Sequence, residues 1–501
     1  PGAWLTYSGG LDGWRYSSLA ELTPKNVGKL RLLWSRPFAS DEGVAEAVPI
    51  VVDQTIFLVE PVNNVIAIDA SSGRIIWRYV RRLPSKLSVC CGRVNRGLAI
   101  LGDTLFLGTL DAHLVAINAN DGKVKWDIEV AKPEEGFSIT AAPLALKDSI
   151  VVGVAGGDLG IRGFVAAYNA RTGVEKWRFH TIPGPGEFGH DTWHGDSWKH
   201  GGGPTWITGS FDPVLNILYW GVGNPFPDYS GDMRAGDNLF TNSAIALDAD
   251  TGRRIWHFQF TPHDERDWDS TQTPILADIK IKGAVRKVVC WANRNGFYYV
   301  LDRKSGEFLH GSAFVEQNWA EGLDRNGRPI PFQHASVSTV GRVTHPGVDG
   351  GVNWQQSAFD PAMGWYFVHA TEGASTFAKS QPDRFRRGEG GVMHGSGTYD
   401  PTPAAKVVRA LDASNGSKQW EYFSPDSDDS DEGKSGLLVS AGGLLFGASA
   451  GMVFGLDKTT GAEVWRVRLG GISKTAPVSF QLNGRQVLGI SVGRAFFLFG
   501  L

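Results

Sequence analysis

The stretch TPHDERDWDSTQ places two carboxylates two residues apart, Asp267 and Asp269. On an extended strand, such alternation puts both acids on one face, about 6–7 Å apart at Cα. Two acids that close are tolerable only where a cation lies between them or one keeps its proton. A second unusual stretch, SVCCGRVNRG, holds two of the chain's three cysteines side by side as Cys90 and Cys91. Neighbouring Cα atoms sit about 3.8 Å apart, below the usual disulfide separation of about 4.4–6.8 Å. Geometry therefore leaves two readings open: a cramped vicinal disulfide, or two reduced thiols buried together. In GGGPTWITGSFDP three glycines precede Trp206 by a few residues, and glycine lets a backbone approach a ligand closely.

The elements that must position these groups are legible as a repeat. Its pattern is a short apolar strand, Asp or Asn, three turn residues, Gly, and Trp four residues later. It reads VIAIDASSGRIIW to Trp77, LVAINANDGKVKW to Trp126 and VAAYNARTGVEKW to Trp177. It returns as AIALDADTGRRIW to Trp256, VRALDASNGSKQW to Trp420 and VFGLDKTTGAEVW to Trp465. A seventh copy, YYVLDRKSGEFLH, ends in His310. Each copy reads as a hairpin whose Asp or Asn caps the turn and whose Gly takes the positive-φ position. Neighbouring copies 45 to 51 residues apart match one four-stranded blade. With the strand around Trp34 and a degenerate blade near MGWYFVHATEG, the expected fold is all-β: an eight-bladed β-propeller with tryptophan-docking repeats, one domain over residues 1–501. Closure hides the sheet edges and leaves loops around a central channel.

Composition limits the rest. The 64 glycines are nearly twice the common share of about 7%, consistent with many turns. A net charge of −3 with no dense basic run argues against nucleic acid as a partner. The acidic stretch SPDSDDSDEGKSG reads as a solvated loop. Three cysteines exclude a disulfide scaffold, and the absence of C-x-x-C-H excludes covalent c-type haem on this chain. Ser435 to Leu456 carries no charge but is broken by Gly442-Gly443 and Ala450-Gly451, so it reads as two buried strands and not a membrane span. The start PGAWLTYSGG shows no signal peptide, as expected of a cytoplasmic or already processed chain.

The docking hairpins, with WLTYSGGLDGWRYSSLAELTPKNVGKLRLLW at the start, resemble the quinoprotein alcohol dehydrogenases of the methanol and ethanol dehydrogenase type, which use pyrroloquinoline quinone (PQQ). The resemblance covers nearly the whole chain. It implies that Cys90 and Cys91 form a vicinal disulfide against one face of PQQ, with Trp206 stacked on the other. It implies an oxidising, periplasmic home for a processed chain. Arg96 and Thr140 fall where the family binds the cofactor's carboxylates, and an Arg fork suits a carboxylate. Glu46, Asn353 and the backbone of Ala155, Gly156 and Gly157 fall at further cofactor contacts.

The resemblance also implies a hard cation, Ca²⁺ or a lanthanide(III), held by Asp158, Asn224, Asp267 and Asp269. Asp269 matches the extra carboxylate of the lanthanide-using branch. Asp267 matches the catalytic base and Arg294 the arginine near the quinone oxygens, where it would stabilise developing negative charge. The chain departs from the family twice: Asp158 stands where Glu is usual, and Arg266 replaces a tryptophan beside the base. Three negative charges favour a trivalent ion, although Ca²⁺ takes the same oxygen ligands. Cys290 reads as a buried thiol.

The expected reaction is oxidation of a small alcohol to aldehyde or ketone by Asp-assisted hydride transfer to PQQ. Electrons would pass to a separate cytochrome c or other acceptor, and a homodimer is compatible with the pattern. Two rivals stand beside it: a quinoprotein acting on sugars, polyols or polymers, and a non-catalytic scaffold propeller. The loops Phe226 to Asn238 and Glu372 to Pro403 would shape the substrate pocket, and the aromatics in FPDY and STFAKSQPDRFRRG hint at a substrate larger than methanol.

Overall fold

Each copy of the repeat forms an antiparallel hairpin in the computed structural model, which describes residues 2–39, 43–333, 335–379, 395–399, 404–424 and 433–501. In the first copy, Asn64–Asp69 pairs with Ile75–Tyr79. The Asp69 carboxylate accepts from the Ser72 N–H at 2.8 Å, and Gly73, at φ 68°, donates its N–H to the Asp69 carbonyl at 2.8 Å. The same main-chain bond closes the turn in the other six copies, from Gly122, Gly173, Gly252, Gly306, Gly416 and Gly461.

A bulge just before the tryptophan slips the register by one residue in each copy. The indole then lies on the turn glycine of the next copy. A Cβ on Gly122 would stand 2.6 Å from the Trp77 ring, and Trp77 Nε1 donates to the Ala119 carbonyl at 2.9 Å. Trp34, Trp126, Trp177, Trp256 and Trp420 dock the same way on Gly73, Gly173, Gly252, Gly306 and Gly461. Each turn glycine is needed for its φ and for the ring above it. Where His310 replaces tryptophan, Gly416 meets Ser312 and Tyr298 instead. Trp177 is buried, so Trp177→Ala should lower stability by about 3–5 kcal/mol, read as a drop in denaturant midpoint.

The described residues form eight sheets of four or five strands: seven carry the copies, and the eighth pairs Arg31–Pro37 with Ala495–Gly500, tying the chain ends together. This is a β-propeller architecture. Two expectations are corrected. The MGWYFVHATEG stretch is no blade of its own: Ala358–Asp360 and Trp365–Glu372 belong to the sheet ending at Trp420, and the remaining sheet is that of the His310 copy. Ser435 to Leu456 forms three strands, Leu438–Ser440, Leu444–Ser449 and Met452–Asp457, because each glycine-containing break reverses the chain. No helix among the described residues is long and apolar enough to cross a membrane. The acidic stretch after Ser424 and much of the Glu372 to Pro403 loop lie outside the described residues.

Burial explains where the site falls. Second strands such as Thr104–Gly108, Ser149–Gly153 and Ile217–Gly221 are wholly buried, whereas fourth strands such as Val124–Glu129 alternate with solvent. Loops before first strands and after second strands therefore converge inside. Isolated bridges link several of these segments: Val48 with Gly97, Ser138 with Ala155, Gly202 with Pro225, and Val222 with Ser270.

Candidate active site

These loops enclose a cavity of ≈ 580 Å³, and all fifteen residues singled out from the sequence line it. Cys90 and Cys91 are joined in a disulfide, with Cys91 at φ 61°. Holding a non-glycine residue in that left-handed region costs about 1–3 kcal/mol, a strain typical of functional sites. Both sulfurs and an Asp158 carboxylate oxygen lie within 4.8 Å of one another. A disulfide offers no thiolate, so this trio is not a sulfur-ligated metal site.

Trp206 is held from three directions. Its Nε1 donates to Asp269 Oδ2 at 3.2 Å, and its carbonyl accepts from Thr140 Oγ1 at 3.5 Å. The Arg96 guanidinium lies 4.8 Å from the Trp206 ring and 4.4 Å from that of Trp354. Arg96 also pairs with Glu46 at 2.8 Å, and Lys474 reaches the other Glu46 oxygen at 3.5 Å. On the floor, a Cβ on Gly156 would stand 2.1 Å from the Gly136 carbonyl, and one on Gly157 2.6 Å from Pro204. Asn353 lines the same cavity, its Nδ2 3.5 Å from the Asp349 carbonyl.

The acidic end is built differently from the expectation. Asp267 is not on an extended strand: it lies in a loop at φ 58°. The Asp264 carboxylate accepts from the N–H groups of Arg266 (3.0 Å) and Trp268 (2.8 Å), which winds the chain into a turn. Trp268 between the acids is fully buried, its Nε1 on the Gly347 carbonyl at 2.9 Å. Anchoring that indole in the core leaves both acids on the cavity side. Arg294 lies 3.0 Å from Asp269 and 3.6 Å from Asp267. Asn224 donates its N–H to Asp269 Oδ1 at 2.8 Å and its Nδ2 to Asp158 Oδ1 at 3.2 Å. Arg266 turns away, donating to the Ala335 carbonyl and lying 5.2 Å from the Trp268 ring.

Crowding sets the electrostatics. Burial, with the charge of Asp269, pushes Asp158 up to about 6. Burial also holds Asp267 well above the usual carboxylate range, opposed by Arg294 and reinforced by Asp269 and Asp158. Asp269 is raised by burial and opposed by Arg294. Acids so placed are poised to be ionised by an arriving cation.

Sequence reasoning missed the cationic side of the cavity: Lys406, Lys434 and Lys474. Lys434 is buried, donates to Thr371 Oγ1, and is pushed down to about 7 by burial, with Asp349 opposing and Lys406 reinforcing. Two of them share a position that becomes apparent once the strand starts are known. Glu46, Thr140, Trp206, Lys434 and Lys474 each stand four residues before a first strand, at Ile50, Leu144, Ser210, Leu438 and Val478. Tyr229 also lines the cavity, its ring 6.1 Å from Phe377.

Residues 4–318 match the family model described as "Glucose/ethanol/alcohol dehydrogenase, beta-propeller domain", and residues 404–488 match that of "Outer membrane protein assembly factor BamB". Quinoprotein alcohol dehydrogenase PedH of Pseudomonas putida is 35% identical, across 97% of this chain and 85% of its own. The 1-butanol dehydrogenase (cytochrome c) of Thauera butanivorans is 33% identical, across 98% of this chain and 74% of its own. A europium-containing methanol dehydrogenase superposes with a TM-score of 0.92 at 29% identity, covering 100% of this chain and 98% of its own. The quinohemoprotein alcohol dehydrogenase of Comamonas testosteroni gives 0.92 at 31% identity, covering 99% and 80%.

Proposed function

The chain belongs to the PQQ alcohol dehydrogenase family, and from that premise we propose how its cavity works. It is a PQQ- and metal-dependent dehydrogenase, using Ca²⁺ or a lanthanide, that oxidises an alcohol to an aldehyde or ketone and passes electrons to an external acceptor.

The residues fit both groups. An all-oxygen set of Asp158, Asn224, Asp267 and Asp269 suits a hard cation. Three carboxylates of PQQ find Arg96, Lys406, Lys434 and Lys474 along the same cavity. The disulfide and the Trp206 indole are the two flat groups available to its faces, and Glu46, Thr140, Asn353 and the Ala155–Gly157 backbone supply further contacts. When bound, PQQ supplies an ortho-quinone that accepts hydride, and the cation supplies a Lewis acid at its carbonyl.

The protein's own work is proton handling and charge placement. Asp267, at 20% exposure, reaches the space an alcohol would enter and takes its hydroxyl proton. Arg294, 3.6 Å away, favours the ionised carboxylate that this needs. Arg294, on the cavity wall, would also present positive charge to the quinone oxygens of bound PQQ. Tyr229, on the 226–238 loop, lines the cavity and would pack against the substrate's carbon chain. The observation that carries the reading is the convergence of Asp267, Asp269 and Arg294 with Trp206 and the disulfide on one cavity. Its test is the absorption spectrum of purified protein before and after PQQ and metal are added, then an alcohol panel with a dye acceptor. No spectral change and no turnover would reject it; turnover of sugars in place of alcohols would favour the sugar or polyol alternative.

We further propose that the eight sheets close as eight blades of one domain over residues 1–501, and that the protein works in the periplasm, where the vicinal disulfide persists. A separate cytochrome c is the proposed acceptor, and a homodimer the proposed assembly.

Lys434 gives a pH test. In the free protein Lys434 is cationic below about 7 and loses its proton above that, so PQQ's carboxylate would meet a charged lysine only at the lower pH. PQQ affinity should weaken by up to about tenfold from pH 6 to pH 8. Lys434→Gln should be weaker at pH 6 and lose most of that fall between pH 6 and pH 8, as read by fluorescence titration.

A further inference from the structure

Asp228, in the loop after Asn224, is 1% exposed and does not line the cavity. One of its oxygens, Oδ1, accepts from Asn224 Nδ2 at 2.6 Å, the shortest side-chain bond that Asn224 makes among the described residues. The other, Oδ2, is buried with no hydrogen-bond partner among the described residues. A carboxylate this costly to bury needs a reason.

The amide of Asn224 supplies it. The Asn224 atom facing Asp228 is the amide nitrogen, which donates to Oδ1. The amide oxygen is thereby left on the opposite side, facing Gly157, where a Cβ would stand 2.7 Å from it. Gly157 is part of the cavity wall. Asp158 also accepts from this nitrogen, at 3.2 Å, a bond it would give up on turning toward a cation. Asp228, at 2.6 Å, would then be the shorter of two contacts holding the amide, beside the Pro225 carbonyl at 3.4 Å.

The loop itself is pinned. Arg234 is fully buried and donates to the Pro227 carbonyl at 3.1 and 2.9 Å, to Asn238 Oδ1 at 2.9 Å, and to the Asp264 carbonyl. It therefore joins the loop carrying Asp228 to the turn that presents Asp267.

We propose that Asp228 is a positioning residue of the metal site, holding the Asn224 amide so that its oxygen is offered to the cation. The inference rests on the metal reading above. Partners behind a metal ligand typically contribute about 10–100-fold in affinity.

The test is calorimetric titration of Ca²⁺ and of La³⁺ into the full chain with PQQ present, comparing Asp228→Ala, Asp228→Asn and Asn224→Ala. Asp228→Ala should weaken both ions by about tenfold or more. Asp228→Asn, whose amide oxygen still accepts from Asn224, should restore affinity to within about threefold, well inside that loss. Metal-free melting temperatures should match wild type, which separates positioning from unfolding. Unchanged affinity in Asp228→Ala overturns the proposal, as does an Asp228→Asn defect equal to that of Asp228→Ala. Unchanged affinity in Asn224→Ala would instead reject the metal site on which the proposal rests.

Discussion

Asp267→Asn should lower kcat by about 10²–10⁴-fold while PQQ remains bound, the range expected when a positioned base is removed. The substitution keeps the shape and one oxygen but cannot take a proton. Its side chain lies between Arg294, 3.6 Å away, and the cavity, so the loss falls on chemistry and not on cofactor retention. Stopped-flow reduction of PQQ by alcohol, alongside a PQQ titration, separates the two. Turnover within threefold of wild type would remove Asp267 as the base.

Asp269→Ala should be equally damaging for a different reason. Its two oxygens accept from the Asn224 N–H (2.8 Å), the Trp206 indole (3.2 Å) and Arg294 (3.0 Å). One side chain thus links a metal ligand, the stacking ring and the arginine shared with the base. Removing it should cut La³⁺ affinity by about a hundredfold or more and abolish lanthanide-supported turnover. It should also remove the nearer of the two carboxylates beside Arg294, leaving Asp267 at 3.6 Å. If La³⁺ still binds and supports turnover, Asp269 is a scaffold residue only.

The hairpins were legible because their causes are local: an Asp or Asn cap, a glycine turn, and an indole at fixed spacing. That the indole docks on the next copy's glycine was not, since docking is a contact between copies. The stretch around Met363 was misread because its strands pair inside a sheet whose signature lies some fifty residues on, at Trp420. The D-x-D reading reached the right face by the wrong route. Alternation on a strand was assumed, whereas the Asp264 turn and the buried Trp268 ring turn both acids inward. Lys434 and Lys474 shared the position of Glu46, Thr140 and Trp206 relative to a strand, a regularity visible only once strand starts are known. Asp228 had no signal, because its meaning lies in an amide four residues away across a turn.

The central claim is that a planar quinone sits between the Cys90–Cys91 disulfide and the Trp206 indole, with a cation at its edge. A crystal structure of the protein grown with PQQ and Ca²⁺ or La³⁺ tests it most directly. The account predicts ring density sandwiched by the sulfur pair and the indole, with the ion against Asp158, Asn224, Asp267 and Asp269. Density elsewhere, or a cavity filled only by water with both components in excess, would contradict it.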